Sequence, residues 1–501
     1  MGIAPLTAAV RRRPAHWRFG VPAQAGLAGP SVDGGTGDVI GLMVELYLNG
    51  AWTDISQWVY YREGTTKIPI GRGRGDETSQ VGPQSATIVL DNRDGRFSPR
   101  NPTGPWYGLL GRNTRIRISR LNNAVRRYRF YGEVPAWPVT SDISHGDITV
   151  TVNAAGMLRR LRQGNRSIGS AMKRAYTVPA SLPLLTGFGS TSISLAAYWP
   201  CEEGANATSI ASAVTGGTAM TVAGTPSFAR DSTSFACSSP LPQPSGSIWT
   251  GAVPAYTGGV DNIVNFLMAL PSGGTVNNAV VCQVLTLGSI ARIDAVYTTA
   301  SSGSLQMIGY SSAGTTLFTS SAITGLNAAP VRVQMSLQQT GPDIVWQLLT
   351  TSVNISTPPG FATGTQSTAT VGNITAIVIN PGGTILDTTI GHVSAQYAWA
   401  NALNDTNPLL AWELDNPDVT TGSNPPRFMR LCAEQNVPAV VMPGASGMDT
   451  FSGGAVSMGF QLPDTFANLL QQTVDVSLGL LFESRDQLAL VLRTRGSLYN
   501  Q

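Results

Sequence analysis

The chain has 501 residues, 42% of them hydrophobic, which excludes a wholly disordered polymer and leaves room for two to four domains. Charged residues make up 12%, about half the usual share of ~25%, and Gly, Ser, Thr and Ala fill the gap, as short strands and frequent turns require. Cys201, Cys237, Cys282 and Cys432 are widely spaced with no C-x-x-C pair, which argues against a disulfide framework or a zinc site. The expectation is buried structural thiols, with a Cys201–Cys237 bridge as the alternative.

Residues 1–38 hold seven glycines and four prolines and no sustained periodicity. They are expected to form an extended arm or a disordered segment. Ile3 to Val10 precedes Arg11-Arg12-Arg13, the reverse of the basic-then-apolar order of an export signal. No run of ~18 apolar residues predicts a membrane helix.

Charge divides the remainder. Residues 1–180 carry 24 basic and 12 acidic side chains, a net of +12. Residues 181–400 carry only 3 and 7, and residues 401–501 carry 5 and 10. The step predicts a separate module in the middle of the chain. The basic segment is expected to be a polar, protein-facing surface, with nucleic acid met only in passage. Its arginines are scattered, and neither a stacking platform nor a recognition helix is evident.

Between residues 39 and 184, alternation predicts strands at Leu42–Leu48, Trp52–Val59, Ser85–Leu90, Thr114–Ser119, Arg129–Val134 and Asp147–Asn153. Asn49-Gly50 suits a tight type I′ turn. Met157, Leu158 and Leu161 fit a short helix. Six antiparallel strands and one helix predict a small β-barrel. Gly95 to Pro102 is expected to project as a loop, since Pro99, Pro102 and Pro105 forbid helix and favour extended backbone, which would cost little entropy to order against a partner.

Residues 185–402 show evenly spaced strands at Val260–Leu270, Ala279–Leu287, Ala291–Tyr297, Ser304–Tyr310, Val331–Gln338, Asp343–Thr350, Ile374–Ile379 and Gly391–Ala398. That spacing predicts an all-β sandwich. Trp249 and Tyr256 are the candidate glycan contacts, with packing at the sandwich rim as the alternative. Asp231, Asp261, Asp294 and Asp343 are too scattered for a calcium site, so no metal is expected.

Residues 403–501 turn to mixed α/β. Helices are predicted at Arg427–Gln435 and Thr465–Val474, the second capped by Asp464, followed by a hairpin of Leu478–Phe482 and Leu488–Leu492.

No catalytic motif is present. His16, His145 and His392 lie far apart, and neither G-x-S-x-G nor H-E-x-x-H occurs. Glu202 and Glu203 are adjacent on an extended segment, so they point to opposite faces and cannot flank one glycosidic bond. The chain is therefore expected not to be an enzyme and to need no cofactor.

Several segments carry a resemblance. L-x-V-E-L-Y-L-N-G-x-W-T-D-I from Leu42, D-N-R-D-G-R-F-S-P-R-N-P from Asp91, Y-G-L-L-G-R-N-T-R-I-R-I from Tyr107 and Gly132-Glu133-Val134 resemble the opening barrel of tail-hub (minor tail) proteins of long-tailed actinobacterial phages. The stretch from Asp464 to Arg495 is similar to the helix-hairpin part of the same proteins. Leu195 to Gly204, with Cys201 where Leu is commoner, resembles the opening strand of laminin-G or concanavalin-like jelly rolls.

The resemblance implies a mainly-β tail-tip component of the virion, a hub with an inserted jelly-roll sandwich. Such proteins continue into another barrel where this sequence stops at Gln501, so the expectation is either a short product or one part of a longer protein. Its implied partners are copies of itself, most simply a trimer, a distal-tail or tail-tube ring, and a fibre or spike, with a host-surface glycan for the insertion and no membrane anchor. Arg96, Pro99, Arg100, Pro102 and Pro105 are then the candidate assembly interface. The alternatives are a carbohydrate-binding adhesin and a cell-wall glycoside hydrolase.

Overall fold

The computed structural model describes residues 41–60, 67–74, 80–122, 125–142, 147–164, 167–177, 194–257, 261–352, 360–398, 427–442, 458 and 461–493. The expected N-terminal arm, the segment 403–426 and the region around Gln501 lie outside them.

The first module is one curved antiparallel sheet. Its order is Ala51–Asp54, Leu42–Leu48, Thr114–Asn122, Val125–Val134, Ile148–Ala155, Ser85–Asp91, Ile70–Gly71, with Val139–Ser141 added against Ile148–Ala155. Alternation sends Val44, Leu46 and Leu48 into the core with Ala86, Ile88, Leu90, Ile116, Ile118, Val150 and Val152. Asn49 and Gly50 both take positive φ (46° and 83°), as the two-residue turn requires.

The expected closed barrel is corrected: the sheet does not close. The return strand stops at Asp54, whose carboxylate accepts the Ser56 amide at 2.8 Å and starts a 3-10 turn over Ser56–Trp58. Across the remaining gap, the described residues show a single bridge, Val59 to Leu90.

The second module is a sandwich of two antiparallel sheets. One runs Thr221–Ala223, Ile248–Ala252, Ile374–Ile379, Ala279–Thr286, Arg292–Thr298, Ser304–Tyr310, Thr316–Thr319, with Ile323–Thr324 also on Ser304–Tyr310. The other runs Gly360–Gln366, Asp343–Ser352, Val331–Thr340, Asp261–Ala269, Thr389–Gln396, Leu195–Trp199. Val264, Phe266 and Met268 face Val281, Val284, Ile377 and Ile379 of the opposite sheet in one core. The register places Met335, Val333 and Val331 beside those three, so Arg332, Gln334 and Ser336 turn to the other face.

The third module holds helices Arg427–Glu434 and Phe466–Ser477 beside a small sheet. The expected hairpin is present as Leu480–Glu483 and Leu490–Arg493, and a parallel edge strand, Ala439–Met442, joins it. Thr465 rather than Asp464 caps the second helix: its hydroxyl accepts the Asn468 amide at 3.3 Å, while Asp464 accepts from Thr465 and from the Asn468 side chain.

This module shares its core with the first. Met157 and Leu158 pack with Phe428, Leu431, Leu469, Leu470, Leu490 and Leu492. The Ile168 amide donates to the Asp464 carbonyl at 3.1 Å. Helix Ala171–Thr177 joins all three modules. Met172 and Tyr176 enter the sandwich core, Tyr176 stacks on Tyr198 at 4.5 Å, and Arg174 pairs with Glu434 at 2.7 Å.

Candidate functional site

The Asp91–Leu110 loop is a chain of side-chain-to-backbone turns. Asp91, Asn92, Asp94 and Asn101 each accept an amide a few residues ahead, from Arg93, Phe97, Arg96 and Thr103. Phe97 is driven into the core and ringed by Trp58, Trp106 and Trp137. Arg96 is drawn inward with it. Its guanidinium lies 3.9 Å from the Trp58 ring centroid and 5.2 Å from that of Trp106, and it pairs with Asp94. Of the candidate assembly residues, Arg96 holds the loop and Pro99 is half-buried, whereas Arg100, Pro102 and Pro105 are exposed alongside Tyr107 and Leu109.

The candidate glycan contacts are placed otherwise than expected. Trp249 is 0% exposed, with its indole N–H donating to Ser247 Oγ at 2.8 Å. Its strand lies between two others and turns the ring into the core, so it offers no face to a sugar. Tyr256 is a structural pin. Its hydroxyl donates to Asn262 Oδ1 (3.1 Å) and accepts the Ile374 amide (2.7 Å), its ring stacks on Tyr397, and burial pushes its phenol upward from the usual value.

The polar concentration lies instead on the face of the six-stranded sheet turned away from the core. Strand register aligns Ser394, Asn265, Gln334, Leu349 and Phe361 in one row across five strands. A second row holds Gln396, Ile263, Ser336, Gln347 and Thr363. Exposure grades along the first row: Ser394 and Asn265 are 0%, Gln334 is 1%, Leu349 is half-buried and Phe361 is 57% exposed. The face is thus closed at its centre and open at the Gly360–Gln366 edge.

Arg332 donates to Asn265 Oδ1 at 3.0 Å and to Gln334 Oε1 at 3.1 Å, which orients both amides. Among the described residues, Gln334 Nε2, Ser336 Oγ and Ser394 Oγ make no hydrogen bond. A buried polar atom left unsatisfied costs about 1–3 kcal/mol, so three on one face demand an explanation. Neutral amides and hydroxyls leading to an exposed phenyl ring match the chemistry of a polyhydroxylated ring with one apolar side.

A second cluster unites residues that are remote in sequence. Tyr198 Oη lies 2.7 Å from His392 Nδ1, and Ser238 Oγ lies 2.7 Å from His392 Nε2. Glu202 Oε1 accepts from Ser238 Oγ at 3.1 Å and from the Ser239 amide at 2.9 Å. Burial works against the Glu202 charge. The His392 hydrogen bond and charge, with those from Ser170 and Ser239, outweigh it and hold the carboxyl at about 2. Glu203 points elsewhere, accepting the Ala211 amide at 2.8 Å, and burial raises it.

Serine and histidine are in nucleophile–base contact here. The carboxylate, however, sits on the serine side, tyrosine occupies Nδ1, and Tyr198 and His392 are wholly buried. The cluster ties the Pro200–Gly204 and Ser238–Ser239 segments to the sheet, with Cys201 (φ 60°) and His392 (φ 49°) held in left-handed conformations. All four cysteines are buried and unbridged. Among the described residues no three His, Cys, Asp or Glu side chains converge as a metal would need, and no helix is long and apolar enough to cross a membrane.

No family model matches the chain, and no curated protein matches it. Among solved structures it is similar to alginate lyase vAL-1 from Chlorella virus, with 8% identity and TM-score 0.22 over 30% of this chain and 76% of that one. It is similar to the enzymatically active domain of tailspike protein 2 of bacteriophage CBA120, with 11% identity and TM-score 0.21 over 40% of this chain and only 29% of that one. It is also similar to the CBM2 module of the evolved Dit of Lactobacillus casei BL23 phage J-1, with 11% identity and TM-score 0.15 over 30% of this chain and 71% of that one. The expectation of a non-enzymatic chain is corrected: two of these three structures, the alginate lyase and the enzymatically active tailspike domain, are enzymes, and that expectation is withdrawn. Scores this low carry no argument for a particular activity. Phage tail proteins stand among the structures the chain resembles, beside polysaccharide-active and carbohydrate-binding β-folds.

Proposed function

We propose that this chain is a structural component of a phage tail tip whose inserted sandwich grips a cell-surface glycan at the open Phe361 edge of its six-stranded sheet. The observation that carries the binding reading is the exposed Phe361 ring at the open edge of this face, at the end of a row that runs back through Leu349 to the buried Gln334, Asn265 and Ser394. The platform reading is supported by the core that Met157 and Leu158 share with the third module, across more than 250 intervening residues. Two sequence-distant parts make one body, and the sandwich is carried between them. The hub resemblance supplies the partners: copies of the chain in a ring, most simply a trimer, a tail-tube or distal-tail ring on one side and a fibre or spike on the other. Arg100, Pro102, Pro105, Tyr107 and Leu109 form the exposed surface for such a contact.

The test is binding of the purified full chain to host envelope polysaccharides. Phe361→Ala should weaken binding about tenfold or more, the scale of one well-placed contact. It should not lower the melting temperature, since it removes an exposed ring. Binding that is unaffected by this variant would place the site elsewhere; no binding to any envelope glycan would remove the reading. A second reading, a free adhesin, is favoured by a sheet face built within the sandwich alone, and it requires the chain to be absent from mature particles.

A further inference from the structure

The seam between the first and third modules is closed by one carboxylate. Glu483 ends the strand Leu480–Glu483 and is buried against the first module. Its Oε2 accepts the Gln84 amide at 2.6 Å and its Oε1 accepts the Leu158 amide at 2.5 Å. The Gln84 side chain closes the joint by donating to the carbonyls of Tyr131 (2.6 Å) and Ser484 (3.1 Å). Gly156 makes room for the carboxylate: a Cβ there would overlap both of its oxygens.

No cation pairs with Glu483 among the described residues. Arg162 acts from a distance and spends its Nη2 on the Val81 carbonyl at 2.9 Å. Glu133 opposes the charge and is itself engaged by Arg160 at 2.6 Å and Arg159 at 3.8 Å. Among the described residues the carboxylate is held by backbone amides, in a buried joint between the first and third modules.

We infer that docking of the third module on the first is proton-linked through Glu483, the joint being tightest when this carboxyl is neutral and loosening as it ionises. Burial raises the group to about 7, against 4.5 for a free glutamate, and the amide bonds and Arg162 only partly offset the burial. A raised carboxyl gives the docked state stability that is complete below about 4.5 and is lost as pH rises through about 7. Opening the joint hydrates the carboxylate and restores its ordinary titration. The joint-opening constant therefore rises about tenfold per pH unit across that window, about two orders of magnitude in all.

Hydrogen–deuterium exchange of the full chain between pH 5 and 8, corrected for intrinsic rates, reads this directly at peptides containing Gln84 and Leu158. Protection there should fall with pH while that of the sandwich strand Asp261–Ala269 stays level. Glu483→Gln should abolish the slope. Should that variant misfold, Arg162→Gln is the second probe: without that cation the window should move to higher pH. A slope unchanged in Glu483→Gln, an unshifted window in Arg162→Gln, or no slope in the wild type overturns the inference.

Discussion

Within the Asp91–Leu110 loop the structure makes Arg96 a folding residue and leaves Arg100 as the exposed arginine on which charge reversal would test the proposed assembly surface. The Arg96 guanidinium stacks 3.9 Å from the Trp58 centroid with only 20% of its side chain exposed, a contact worth about 1 kcal/mol at that degree of burial. Its pair with Asp94, which is 45% exposed, adds at most about 0.5 kcal/mol after screening. The stem covering Trp58 and Trp106 contributes roughly another 0.5 kcal/mol of apolar burial. Arg96→Ala should therefore cost about 2 kcal/mol, or about 5 °C in the melting of the module that holds Phe97. Arg100→Ala, on an exposed side chain, should stay within about 0.5 kcal/mol. Urea unfolding followed by tryptophan emission separates the two, since Trp58, Trp106 and Trp137 all report on this loop. Equal midpoints for Arg96→Ala and the wild type, or an equally large loss for Arg100→Ala, would refute the reasoning.

Tyr176 packs on Tyr198 inside the sandwich core, so a fragment spanning about 168–402 should melt cooperatively, whereas one starting at 185 should be less stable. Tyr176→Ala in the full chain should cost about 3 kcal/mol as a buried aromatic truncation, and calorimetry of the two fragments gives an independent check. Glu202 is held at about 2, so its contribution is complete above about 4.5 and is lost as pH falls through about 2. Melting between pH 5 and 2 should show Glu202→Gln losing up to about 3 kcal/mol less than the wild type; parallel curves would detach Glu202 from the acid limb.

The strands of the sandwich were legible because alternation of Val, Ile and Leu against polar residues sets their phase, as in Asp343–Ser352, where every second residue is buried. Turn chemistry was equally legible at Asn49-Gly50. The Trp52–Val59 expectation failed because the Asp54 carboxylate captured a backbone amide, a local event that propensity does not weigh. Ala439–Met442 escaped notice because its partner, Leu490–Arg493, lies some fifty residues away, and four residues carry little pattern.

The site was the least legible part. In Val331–Thr340 the polar Arg332, Gln334 and Ser336 alternate with apolar residues just as a solvent-facing edge would. Only the register of four neighbouring strands shows that they share one face, with Gln334 in the row of Ser394 and Phe361. Trp249 misled for the opposite reason: an aromatic among turn residues suggested a rim, yet its strand is internal to the sheet. The Tyr198–His392 contact joins residues 194 positions apart, a separation that no motif spans.

The account's central claim concerns place: a platform at the tail end with the sandwich turned outward. Electron cryo-microscopy of native particles tests it most directly. The account predicts a ring of this chain at the tail tip, with the shared core of Met157, Leu158 and Leu490 at the ring and the Phe361 edge of the sandwich facing away from the tail axis. Particles that lack the chain, or that carry it as single copies away from the tip, would contradict it.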